Sequence, residues 1–245
     1  MMKRKMLLPL AAVVLAAAFF AYWFFFSKPT AFPVNEQAVA EINRTFPKAY
    51  SRTIQEAIKL DDRHMVLPFI SKVKNYGLSY WVWRNHKWNV VSVDTNGKPS
   101  IWKINPADPS SYYLIWNLKP EHPLNSIDFY LIGERGYHIS GGIEDYQPRV
   151  QMKEKISLRE KSYGAVKLTK QWTAAIQVLS QAESAKNSDM LTMDLFPEAS
   201  MFIGWIPYDK AGKESNVMFD GPSYSTSYEA IEELRPINES DMERP

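Results

Sequence analysis

The sequence predicts an α+β fold: a single N-terminal transmembrane helix followed by an extracytoplasmic domain in which helices pack on a mainly antiparallel sheet. Three observations lead there. Residues 6–26 read MLLPLAAVVLAAAFFAYWFFF, twenty-one positions without a charge. The centre of the chain is a succession of short segments rich in aromatic and β-branched residues, separated by Asn, Gly and Pro. Segments of helical periodicity lie on either side of that centre.

At about 1.5 Å rise per residue, residues 6–26 as a helix match a hydrocarbon core of roughly 30 Å. Lys3, Arg4 and Lys5 precede the span and only Lys28 follows it closely. That asymmetry predicts a cytoplasmic N-terminus and places the rest of the chain outside, at the cell membrane as a single-pass protein. Tyr22 and Trp23, near the far end, suit the headgroup layer. The competing reading is a cleavable signal peptide with Ala16-Ala17-Ala18 as its cleavage site, which would leave a mature chain beginning FFAYWFFF and a large apolar surface to hide.

The layout that follows is a basic tip (1–5), the span (6–26), a linker (27–34) with Pro29 and Pro33, an α+β domain (35–222) and a polar tail (223–245), partly disordered. Removing the three basic residues before the span from the 29 in the chain leaves 26 against 27 acids, so the domain is near neutral. No basic stripe points to nucleic acid. The chain has no cysteine, which excludes a lipoprotein anchor, a disulfide framework, a thiolate metal site and a cysteine nucleophile.

Asn35 reads as a helix cap, with Val39, Ile42 and Phe46 at helical spacing before Pro47. Pro47 can open a second helix in which Tyr50, Ile54 and Ile58 share a face. Strands follow at residues 64–73, 78–84, 88–94 and 100–104, with Pro68 arguing for an edge or a bulge. Asn85-His86 and Asn96-Gly97 are turn signals, the second the stronger for a hairpin. Further strands are expected at 112–118, 126–132 and near 137–139. Residues 165–185 form an amphipathic helix with Leu168, Trp172, Ile176 and Leu179 on one stripe. A last hairpin is expected between residues 201–208 and 216–219, turning through 209–213, and the stretch after Arg235 reads as disordered.

Chemistry is sparse. There is no HExxH, GxSxG, phosphate-loop or EF-hand pattern. Ser71 to Lys74 fits SxxK without the accompanying SDN or KTG, and Tyr163 with Lys167 has dehydrogenase spacing without a nucleotide-binding fingerprint, so both are read as strand or helix-start residues. Asp94-Thr95-Asn96-Gly97 is read as a turn, not a calcium loop. No cofactor and no metal are expected.

Two groups remain. Trp81, Trp83, Trp88 and Trp102 fall close together; exposed, they would form a stacking platform for sugar rings or anchors for a protein, and buried they would be core. Residues 121–145 collect His122, Asp128, Glu134, His138, Glu144 and Asp145, where His138 with Glu144 or Asp145 could serve as an acid-base pair of an envelope hydrolase. The preferred reading is a non-catalytic accessory, scaffolding or partner-binding module anchored in the bilayer through residues 6–26. Its partner is expected to be a membrane or envelope protein, with a cell-wall glycan as the alternative.

Overall fold

The computed structural model describes residues 12–19, 22–23, 28–120, 124–140, 143–187, 201–217, 219, 223–226 and 228–243. It is an α+β structure with few helices and antiparallel sheets. Within the apolar N-terminal segment, residues 12–19 and 22–23 are helical, and the remainder of 6–26 lies outside the described residues. Among the described residues no helix is long and apolar enough to cross a membrane. Val13, Val14, Leu15, Phe19, Tyr22 and Trp23 are all more than half exposed.

Helix α1 (Asn35–Thr45) begins after Val34, so Asn35 is its first turn and not its cap. It buries Ala38 and Ile42. The second helix expected after Pro47 does not form. A single 3₁₀ turn, Pro47–Ala49, ends at Tyr50 in the left-handed region (φ 45°), and the chain enters strands β1 (Ser51–Ile54) and β2 (Ile58–Lys59). Asn43 is the local reason: its side chain donates to the Ser51 carbonyl and accepts from the Ser51 amide, at 2.8 and 2.7 Å, and so fixes the first strand residue beside the helix.

The first sheet runs β1–β3–β4–β5, with β3 (His64–Ser71), β4 (Tyr76–Arg84) and β5 (Lys87–Asp94) in meander order and β2 also on β3. Pro68 sits in a central strand. Its carbonyl accepts from Gln55, so its hydrogen-less nitrogen faces the break between β1 and β2, where no ladder donor is needed. Asn85 and His86 both take positive φ (53° and 59°) and make the tight β4–β5 turn.

Asn96-Gly97 does not make the hairpin expected of it. After it, β6 (Ser100–Lys103) pairs with β7 (Tyr112–Asn117) in a second sheet, ordered β12–β7–β6–β14, where β12 is Tyr163–Lys167 and β14 is Ile231–Glu233. The third sheet is β11–β8–β13–β15, from Val150–Ser157, Leu124–Gly133, Met201–Asp209 and Arg235–Pro236. Beyond Gly133 the β8–β11 ladder continues as the two-stranded β9 (Gly136–Ser140) and β10 (Ile143–Gln147). The start of the expected 165–185 helix is instead β12, because Val166 and its neighbours pair with β7; α2 is Lys170–Asn187.

The layers follow from alternation. On one face of the first sheet Met65, Leu67, Phe69, Trp81 and Val93 pack under α1. On the other, Val66, Leu78 and Tyr80 meet Trp102 and Ile115 of the second sheet. The opposite face of the second sheet, with Leu114 and Trp116, packs on Ile127, Phe129 and Leu131 of β8 and on Trp172 and Ile176 of α2. The chain after Arg235, expected to be disordered, is the final layer: β15 pairs in parallel with β13, and Ile237 and Met242 cover Tyr130, Ile132 and Ile206. Among the described residues of 213–219 there is only a bridge, Tyr208 to Glu214, where a hairpin was expected, and Met218 lies outside the described residues.

The crossing from the first sheet to the second is the tightest point. Gly97 has φ +60°, and a Cβ on it would lie 2.8 Å from the Tyr76 carbonyl oxygen and closer still to that of Asn117. By contrast Gly212, φ +74°, has open space around it. Gly97→Ala is expected to cost about 3 kcal/mol, from left-handed strain plus overpacking, and Gly212→Ala only about 1 kcal/mol. Urea unfolding followed by tryptophan fluorescence measures both; equal losses would show that the crossing is not tightly packed.

Candidate functional site: a basic groove at one pole

The tryptophans singled out by the sequence do not form an exposed row. Trp81, Trp83 and Trp102 are almost wholly buried. Trp81 donates its indole N–H to Ser79, and Trp102 packs edge-on against Tyr80 and His64. Trp88 is partly covered: the Phe32 ring packs at 5.0 Å from it and 5.2 Å from Trp81, and its indole N–H donates to the Thr30 carbonyl. Trp81 and Trp88 therefore hold the linker to the sheet, and of the four rings Trp88 alone keeps part of its surface exposed.

The residues of 121–145 are dispersed. Glu121 and His122 lie outside the described residues. Asp128 is buried on β8, Glu134 stands in the break before β9, and the β9–β10 register sets His138 opposite Asp145 and Ile139 opposite Glu144. Tyr137 and Tyr146 oppose one another on the same ladder, both largely exposed.

A groove with a cavity of about 1100 Å³ opens where the strands of all three sheets end. Tyr76 begins β4, Leu118 follows β7, Tyr163 begins β12, Leu124 begins β8 and Leu158 follows β11. Strand ends feed loops, and these loops carry charge: Lys119, Arg159, Lys161 and Lys210 line the groove, against Glu160. Arg159 donates from Nε to Asn125 at 2.8 Å, which fixes its guanidinium. Lys161 is held by Glu56 at 2.5 Å, and that bond keeps its ammonium above the ordinary lysine range. Lys210 projects from the turn after β13, whose Asp209 carboxylate accepts from the Ala211 and Lys213 amides.

Below the groove lies a buried polar node. The Asn117 side chain donates to the carbonyls of Phe69 and Gly77, and its amide donates to Gly97. Asp94 accepts from the amides of Asn96 and Lys98. Burial outweighs those two bonds and pushes its carboxyl up to about 6. Thr95 and Tyr224 exchange hydrogen bonds, tying the C-terminal segment to the same loop.

Two further clusters were not foreseen. His64 Nδ1 lies 2.8 and 2.9 Å from the Asp61 oxygens; despite partial burial, the bond to His64 and the Arg63 amide hold the Asp61 carboxyl below its ordinary range. On the outer face of the third sheet Lys153 reaches buried Asp128 at 2.5 Å and stands over the rings of Tyr130 and Tyr208. Among the described residues no group of three or more histidine, aspartate or glutamate side chains could hold a metal ion.

Comparison of the chain with protein-family models, with curated proteins and with solved structures finds no match in any of the three. Sequence reasoning passed over the groove because its cations come from separate loops. The dense run from Arg159 to Lys161 between two strands was the only local sign.

Asp94 makes the node sensitive to pH. Its folded value is raised, so the folded protein holds a proton there that the unfolded chain releases near 3.8. The associated stability is full below about pH 4 and lost as pH rises through 6, about 3 kcal/mol at most. Urea midpoints at pH 4, 5 and 7 should fall in that order by this contribution. Asp94→Asn should flatten the series, and an unchanged slope would mean that another group titrates.

Proposed function

We propose that this chain is a single-pass, membrane-anchored recognition module of the cell envelope, non-catalytic, whose outward domain binds its partner through the basic groove. The observation that carries the anchor is the chargeless run 6–26 behind Lys3, Arg4 and Lys5. Its described residues expose Val13, Val14, Leu15 and Phe19, apolar surface that a bilayer would cover.

The short linker supports the same reading. Phe32 and Thr30 are bound to Trp81 and Trp88, so the domain is held within a few residues of the apolar segment. Trp23 stacks on His86 at 4.1 Å, at the β4–β5 turn. From that turn to Tyr76, β4 spans nine residues, about 30 Å at 3.3 Å per residue. The groove thus opens at the pole away from the anchor, where an envelope partner would meet it.

The absence of cysteine gives a clean topology test. Lys210→Cys should react with a membrane-impermeant maleimide on intact cells, whereas Lys3→Cys should react only after permeabilisation. The chain should also stay in the membrane pellet at alkaline pH and leave it when residues 6–26 are deleted. Labelling of both positions, or neither, on intact cells would overturn the orientation.

A further inference from the structure

We propose that the groove takes a hydrophilic polyanion, a chain of phosphodiester groups joined by hydroxyl-bearing units. This rests on the groove being the domain's recognition surface and names what that surface recognises. Three features of the lining choose the class.

Charge comes first. Four cationic side chains, Lys119, Arg159, Lys161 and Lys210, line one concavity with Glu160, and Glu56 pairs with Lys161. Lysine offers a compact point charge and arginine a planar fork, both suited to phosphate oxygens. Nε of Arg159 is occupied by Asn125, so the terminal nitrogens of the guanidinium are the ones left to meet an anion.

Size and polarity narrow the occupant further. A cavity of about 1100 Å³ is larger than a single phosphate needs, and it matches several linked units. Its lining is mixed: Leu118 and Leu158 are buried, Leu124 is half-buried and Pro120 exposed, and Tyr76, Tyr163, Ser162 and Asn125 add hydroxyl or amide groups. A peptide partner would ask for a pocket that buries an aromatic or aliphatic anchor. A polyol phosphate asks for cations and neutral hydrogen-bonding groups, which this lining supplies.

Position excludes one source. The groove lies about 30 Å along β4 from the turn that touches Trp23. Headgroups of the bilayer that holds the chain are therefore on the far side of the domain, and the ligand comes from the outer envelope.

The test uses the full chain in nanodiscs of neutral phosphatidylcholine, titrated calorimetrically with a glycerol-phosphate hexamer, poly-L-glutamate of equal charge and inorganic phosphate. The hexamer should bind, weaken steeply with added salt, and outcompete the other two. Lys210→Ala and Arg159→Ala should each weaken it about tenfold, as the loss of one charge-assisted bond implies. Lys170→Ala, an exposed lysine at the start of α2, should leave binding unchanged. Lys210 has no partner among the described residues, so its removal tests binding without disturbing the fold. Poly-L-glutamate binding as tightly, with the same loss on Lys210→Ala, would overturn the phosphate assignment and keep the groove. No binding of any probe, or binding indifferent to Lys210 and Arg159, would overturn both.

Discussion

The fold turns on one buried amide. Asn117 ends β7 in the second sheet, yet its side chain donates to carbonyls of β3 and β4 in the first. Its backbone closes over Gly97 in the loop that carries the chain between the two. Sheets stacked face to face are usually joined by apolar contact alone, which sets spacing but not register. Here a directional contact sets register as well. Placed in a core that includes Phe69, it leaves little room for alternatives, because a slip of one residue would strand two buried carbonyls and the amide that serves them.

That constraint explains why the aromatics are where they are. With register fixed, Trp81 falls under α1 and Trp102 falls between the first two sheets, while Trp116 faces the third. Each interface thus receives at least one large ring. A cysteine-free domain must gain its stability from burial, and this distribution gives every layer a share. The linker joins in: Phe32 packs against the cluster around Trp81 and Trp88.

Much of this was legible in the sequence. The aromatic and β-branched segments at the centre are the strands expected of them, and the order of helix, strands and helix gave the α+β class. What misled were local signals with two tertiary outcomes. Asn-Gly allows a hairpin, but equally allows a sharp exit to another layer, and only the partner of residue 117 decides. Tyr50, Ile54 and Ile58 match helical spacing and are also two β-branched residues and an aromatic, which a strand beside α1 accepts as readily. Polarity after Arg235 looked like disorder, yet Ile237 and Met242 are the apolar positions that a final layer needs, and Arg149 and Gln151 hold its backbone. The groove was least legible, since strand ends from five parts of the chain meet only after folding.

On the outer face of the third sheet Lys153 is already matched by Asp128 and by two tyrosine rings, and Arg135 and Arg149 are matched by Glu243. Those cations are spent within the fold, holding the C-terminal layer in place. At the groove the loops bring four cations to one concavity, with Glu160 and Glu56 as acids beside them among the described residues. A near-neutral domain that gathers positive charge in one concavity offers an anion a preferred direction of approach. The strand that leads from this concavity ends at the turn touching Trp23, so the charged end of the first sheet lies a full strand length from the apolar segment.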